Sequence, residues 1–235
     1  MEFLVRAQFI MGSILKIGII ENDSISIVAV DSAFKYANYL NSIWYKYYEG
    51  FEGNGDTIFL EEETDEILTL ALNYLIITDS TFNIFYKSRN LYPVRISKRK
   101  WFFPKGLKID LGGIVKGYVV DKIKEILLDF GLDTFYIDFG SSSIYSRNYN
   151  FELYSETFGE IKLYNKSLSI SSSIRPIDNS YHIYNPKIGK VIKRKLDVLV
   201  IGENAVDCDV ISTSIIVNPY LKEKFKNFHI EIVIH

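Results

Sequence analysis

The run Asp110-Leu111-Gly112-Gly113-Ile114-Val115-Lys116-Gly117 constrains the fold of this chain more than any other stretch. After a loop through Tyr92-Pro93, strand-like residues reach Leu107 to Leu111, and a double glycine then breaks the pattern. A helix must follow at once, because Val119, Val120, Ile123, Ile126, Leu127 and Phe130 recur at helical spacing as far as Gly131. Gly131 suits the left-handed residue that closes a helix. Glycines let the backbone approach a ligand, a helix start offers free N–H groups and a positive dipole end, and Lys116 adds a full charge. The string is neither a P-loop nor a dinucleotide fingerprint, so its chemistry alone reads as an anion site or as a plain strand-to-helix turn.

Around that run the periodicity alternates between two kinds. Leu4 to Phe9, Ile14 to Ile20 and Ser24 to Val30 are strand-like, and the turn formers Glu21-Asn22-Asp23 make the last two a hairpin. From an N-cap at Asp31-Ser32 a helix is predicted through Ala33, Ala37, Leu40 and Trp44, followed by a glycine-rich loop from Gly50 to Gly55. A second helix is predicted from Glu62 to Ile76, with a wide apolar face. Beyond Gly131, strands are predicted at Thr134 to Phe139, Phe151 to Tyr154, Glu160 to Tyr164, Ser167 to Ser171, Leu196 to Ile201 and His229 to Ile234. A last helix fits Asp209 to Val217, closed by Asn218-Pro219. Strands in consecutive runs imply an α+β fold with substantial antiparallel sheet. With 235 residues and no linker-like segment, one domain over 1–235 is expected.

Composition removes several function classes. A formal charge of −2 supplies no global field for a phosphate backbone, so nucleic acid is not an expected partner. The densest basic runs, Lys98-Arg99-Lys100 and Lys193-Arg194-Lys195, read as solvated hairpin ends. The single cysteine, Cys208, rules out an internal disulfide and a cysteine-rich metal site. Ile67 to Ile77 and Ile211 to Val217 fall short of the roughly 18 to 20 apolar residues that cross a bilayer. No export signal or lipid-bearing cysteine is read at Met1 to Arg6, so the sequence as given predicts a soluble, cytoplasmic protein, or an exported one whose leader was removed.

Three further features carry possible chemistry. Asp209 and Thr213 are four apart and face the same way on a helix, where two oxygens suit a hard cation such as Mg²⁺. The plain reading is an N-capping Asp and a Thr bonded back to its helix. His182, ahead of Asn185-Pro186-Lys187-Ile188-Gly189, sits where a general base could work, or is simply structural. Met11-Gly12-Ser13, Gly140-Ser141 and the hydroxyls of Ser169 to Ser173 suit close approach to a ligand, and equally suit turns or bulges.

Taken in order, Met11-Gly12-Ser13, Asp110 to Tyr118, Gly140-Ser141, Ser172-Ser173, His182 to Gly189 and Asp209 to Thr213 resemble the ApbE family of FAD:protein FMN transferases. The resemblance runs from Arg6 to about Val217. It implies an α+β fold with two closely packed lobes enclosing an FAD cleft. It further implies that Asp209, Thr213 and the carbonyl of Val115 hold Mg²⁺, and that Asp110, Gly112, Gly113, Lys116, Ser172 and Ser173 lie along FAD, with Met11, Gly12 and Ser13 walling the pocket. His182 and Lys116 are the implied catalytic residues. The partner would be a flavoprotein that presents a Thr or Ser hydroxyl, which takes FMN as AMP leaves.

The chain departs from the family pattern at several positions. Asn185-Pro186-Lys187-Ile188-Gly189 stands where Asp-Pro-x-Thr-Gly is usual, Gly140-Ser141 replaces Gly-Gly, Ile174 replaces a Gly, and Val115 replaces an Ala. Two other functions remain open on the sequence. Water could replace the protein hydroxyl, giving a Mg²⁺-dependent FAD diphosphatase, or the chain could be a flavin-binding protein without turnover.

Overall fold

The computed structural model describes residues 3–20, 23–48, 50–88, 90–175, 178–226 and 228–235. A hairpin of β1 (Leu4–Ile10) and β2 (Ser13–Ile19) opens the chain, with Met11 and Gly12 at φ 51° and 74° as its two-residue turn. Then follow α1 (Ser24–Tyr48), β3 (Asp56–Phe59), α2 (Glu62–Ile77), β4 (Val94–Ser97), β5 (Lys100–Phe103) and α3 (Val115–Asp129). The second half contains β6 (Phe135–Phe139), β7 (Ser143–Arg147), β8 (Phe151–Ser155), β9 (Gly159–Leu163) and β10 (Ser167–Ser172). It finishes with β11 (Tyr184–Asn185), β12 (Lys190–Val191), β13 (Asp197–Gly202), α4 (Ala205–Val217), α5 (Leu221–Phe225) and β14 (Glu231–Ile234).

The main sheet has the order β1-β2-β6-β7-β10-β13-β14, and every pairing in it is antiparallel. Smaller sheets are formed by β3-β5-β4, β8-β9 and β11-β12. Helix and sheet are mixed in the way the strand runs imply, so the α+β class holds. Trp44 and Trp101 are fully buried, and each indole N–H finds an acceptor, on Thr64 Oγ1 at 3.1 Å and Asp65 Oδ1 at 2.6 Å. Among the described residues no helix is long and apolar enough to cross a membrane.

Helix α4 explains its own composition. Val210 belongs to the core beneath α1 and α3, whereas Cys208, Ile211, Ile215 and Ile216 belong to the core shared with β13, β14 and α5. A helix buried on two sides must be apolar nearly all round. Packed against β10, β13 and α3, it carries Asp209 into the interior.

Several local readings need correction. Ser24 to Val30 is the start of α1, not a strand, so there is no hairpin here; Glu21 and Asn22 lie outside the described residues. Its alternating Ile and Val mimic a strand, but burial falls on Ser26, Ala29, Val30, Ala33, Ala37, Leu40 and Trp44, a helical period. Asp23 Oδ1 accepts the Ser26 N–H at 2.8 Å and starts the helix, so Asp31 and Ser32 lie mid-helix rather than at its N-cap. Leu107 to Leu111 is an extended connector outside the main sheet. One isolated bridge, Glu52 to Lys108, and hydrogen bonds of the Ser88 hydroxyl with Lys108 hold it. Finally, α4 begins at Ala205, so Asp209 lies a full turn inside it and caps nothing on its own helix. Lys98 to Lys100 does form a hairpin end, between β4 and β5, while Lys193 to Lys195 lies in the connection from β12 to β13.

Candidate functional site

A cavity of about 750 Å³ opens where the start of α3, the middle of α4, the end of β10 and the loop carrying His182 converge. That volume falls in the range of small-molecule clefts. Asp110, Gly112, Gly113, Lys116, Ser172, His182, Asp209 and Thr213 all line it. Residues as far apart in sequence as Asp110 and Thr213, 103 positions, therefore line one cavity.

The wall formed by α3 and α4 depends on two glycines. A Cβ on Gly117 would collide with the Ala205 carbonyl, so only glycine lets α3 and α4 cross this closely. The Gly117 N–H then donates to Asp209 Oδ2 at 3.0 Å. A Cβ on Gly113 would stand 3.0 Å from the Phe82 ring and 3.6 Å from the Thr213 hydroxyl and methyl, so the double-glycine turn lies directly against α4. At the other end of the crossing Asp121 accepts the Ala205 and Val206 N–H groups at 2.9 Å each, capping α4 from α3.

Asp209 is almost wholly buried. Burial pushes its carboxyl above the usual range, opposed by the positive charge of Lys116 and by hydrogen bonds from Gly117 and Ser169. Behind it runs a hydroxyl network: Ser169 and Ser171 lie 3.2 Å and 2.7 Å from Ser212 Oγ, and Ser171 Oγ lies 3.3 Å from Thr213 Oγ1. A carboxylate held unfavourably in the interior, with hydroxyls alongside, is a donor set of oxygens alone, which fits a hard divalent cation. Among the described residues no group of three His, Cys, Asp or Glu could hold a metal ion. Hydroxyls, backbone carbonyls, substrate oxygens or water would therefore have to complete any coordination here. Val115 opens α3 with its side chain in the core, leaving only its backbone for such a role.

Asp110 is spoken for within the protein. It accepts from Tyr86 and Lys87 at 2.8 Å each and from the Gly112 N–H at 3.0 Å. Burial works against its ionisation, but the bonds from Lys87, Gly112 and Tyr86 outweigh burial and hold the carboxyl below the usual range. It shapes the glycine turn rather than pointing a free charge at a ligand. Lys116 Nζ donates to Ser142 Oγ, tying the cationic side chain to the turn between β6 and β7.

The opposite wall is looser. The loop after β10 is closed by the Ile174 to Tyr181 bridge and by the Arg175 N–H on the Ser180 carbonyl at 2.9 Å. His182 follows, half-buried, with no hydrogen-bond partner for Nδ1 among the described residues. Burial, then the positive charges of Arg175 and Lys116, lower its pKa below the ordinary imidazole value, outweighing the Ser173 carbonyl and Asp178. The ring is thus poised as a neutral base.

Met11, Gly12, Ser13 and Ser173 do not line the cavity. Ser13 instead abuts Gly140, whose Cβ would strike the Ser13 hydroxyl and whose φ is +67°, so it sits one layer behind a lining residue. Ser173 is fully buried, accepting the Leu196 N–H on Oγ at 2.9 Å and the His182 N–H on its carbonyl at 3.2 Å. It positions the His182 loop from behind. The sequence reading missed Thr81, Phe82, Asn83, Tyr86 and Arg175, which also line the cavity. No motif marks them, because they are delivered by an irregular segment after α2 and by a loop with no periodicity.

A family model for the ApbE family matches residues 86–228. No curated protein matches the chain. Among solved structures, the ApbE protein from Thermotoga maritima is similar at TM-score 0.83 and 18% identity, covering 99% of this chain and 94% of that one. The flavin transferase ApbE from Vibrio cholerae is similar at TM-score 0.80 and 14% identity, covering 99% and 93%. The flavinyl transferase ApbE from Pseudomonas stutzeri is similar at TM-score 0.78 and 14% identity, covering 92% and 84%. The solved structures share the fold, and the family model spans more than half of the sequence, including the glycine turn, the His182 loop and α4: the chain belongs to the ApbE family.

Proposed function

We propose that this protein is a Mg²⁺-dependent flavin transferase that moves the FMN half of FAD onto a Thr or Ser hydroxyl of a partner protein. The single observation that carries this reading is the convergence of Lys116, the Asp209 and Thr213 oxygens and His182 on one cavity walled by a double glycine. Structures named as flavin transferases share the fold and support it.

In this reading FAD lies along Gly112 and Gly113, where the backbone leaves room and the start of α3 favours anionic oxygens. Asp209 and Thr213, with the Val115 carbonyl, would hold Mg²⁺, which offsets charge on the pyrophosphate oxygens when bound. Lys116 neutralises charge that develops on the phosphoryl oxygens, and its tether to Ser142 keeps the ammonium in place. His182 accepts the proton of the acceptor hydroxyl as its oxygen forms a bond to the FMN-side phosphorus. The bond from that phosphorus to the bridging oxygen breaks, and AMP leaves.

The test is a mass spectrum of a threonine-bearing flavoprotein target incubated with this protein, FAD and Mg²⁺. A target heavier by one FMN, with equimolar AMP, is the expected result. Free FMN with an unmodified target would sink transfer in favour of hydrolysis, and intact FAD would sink both in favour of a binder without turnover.

A further inference from the structure

The thirteen residues from Tyr184 to Leu196 hold five cations, Lys187, Lys190, Lys193, Arg194 and Lys195, and no carboxylate. Elsewhere the basic side chains are mostly matched: ten other lysines and three other arginines form ion pairs, from Arg6 with Asp31 to Lys226 with Glu223. None of the five takes part in an ion pair among the described residues, and Arg194 reaches only the Ile216 carbonyl, at 3.3 Å.

The strip is well anchored. In the β11–β12 hairpin Tyr184 pairs with Val191 and Asn185 with Lys190, while Ile183, Ile192 and Leu196 pack on the core under α4. Its root is the cavity wall itself, since His182, Ile183, Tyr184 and Pro186 line the cavity and Arg175 adds a cation there. Exposed Ile188 and Val191 lie among the lysines, so the surface offers apolar contact as well as charge.

We propose that this strip docks an acidic segment of the protein that accepts FMN, and this rests on the transfer reading above. The strip starts at residues that line the cavity beside His182, so a segment seated on it would hold an adjoining hydroxyl near that wall. A locally unbalanced positive surface selects a negative partner and speeds its encounter. The remainder of the chain is net negative, so a long polyanion meets repulsion beyond the strip, whereas a short acidic segment does not.

The probe is a fluorescein-labelled threonine peptide flanked by two Asp and two Glu, compared with the same peptide carrying Asn and Gln at those four positions. Fluorescence anisotropy with the full chain, without FAD, should show the acidic peptide bound about tenfold tighter, an advantage that shrinks as salt is added. The variant K190Q/K193Q/K195Q alters exposed side chains outside the lining of the cavity, so its melting temperature and FAD affinity should match the parent while the preference for the acidic peptide disappears. Equal binding of the two peptides, or a preference that survives the triple substitution, would overturn the proposal. Tighter binding of a dT12 oligonucleotide or of phosphatidylserine vesicles than of the acidic peptide would overturn it as well. After addition of FAD and Mg²⁺, an FMN-labelled acidic peptide supports both readings. Charge-dependent binding with neither label nor AMP sinks transfer alone and leaves the acidic-segment site standing.

Discussion

The two walls of the cavity are built in opposite ways. On one side α3 and α4 cross so closely that Gly117 admits no side chain, and Asp209, Gly117, Asp121 and the Ser169–Ser171–Ser212 hydroxyls form an interlocked, largely buried set. On the other side His182 hangs on a loop closed by one bridge and a few backbone bonds, with one ring nitrogen unpartnered among the described residues. Of the departures from the family pattern, Val115 lies at the start of α3 on the packed wall, with its side chain in the core. Ile174 lies on the open wall and Ser141 lines the cavity at the turn between β6 and β7, while Asn185 and Ile188 sit in the β11–β12 hairpin beyond the lining. A packed wall cannot tolerate a change without losing its geometry, whereas the open wall can vary with the partner it meets.

If that contrast is right, substitutions on the packed wall should damage either chemistry or folding severely. Asp209→Asn keeps an acceptor for the Gly117 N–H yet removes the charge, so FMN transfer should fall by about a thousandfold with a near-native melting temperature. Retained Mg²⁺-dependent product formation would break the assignment of α4 as the metal wall. Gly117→Ala should cost about 3 kcal/mol in urea unfolding, because the new methyl meets backbone rather than a movable side chain.

The open wall should behave differently. His182→Gln should slow transfer by about a hundredfold while FAD affinity and stability stay near those of the parent. Because burial, Arg175 and Lys116 depress the His182 pKa, the neutral base persists as pH falls through the ordinary imidazole value of about 6.5, and the rate declines only below it. Arg175→Gln should move that acid limb upward. A limb already above 6.5 in the parent would contradict the burial of the ring. The packed wall is expected to be forgiving only at the end of the α3–α4 crossing away from the cavity, where Asp121→Asn still caps one of two N–H groups and should cost about 1 kcal/mol, the smallest effect of all.

Much of this contrast was legible in the residues. The break at Gly112-Gly113, the helix that follows and its end at Gly131, with φ +84°, are written locally, since each depends on a few neighbours along the chain. The shared face of Asp209 and Thr213 is likewise a matter of helical period. The start of α1 was misread for the converse reason: Ser24 to Val30 has a strand's alternation, and only burial against the rest of the fold selects the helix.

Sequence by itself determined the order of the motifs, and with it the α+β class and the family. Tertiary structure alone decided what the charges do. Asp110 is consumed by Tyr86 and Lys87, and Asp209 receives the Gly117 N–H from 92 positions away. Ser13 and Ser173 stand behind the cavity instead of in it. Backbone propensity acts over a few residues, but burial and hydrogen-bond partners are set by whatever the fold brings alongside, and no spacing along one chain encodes that.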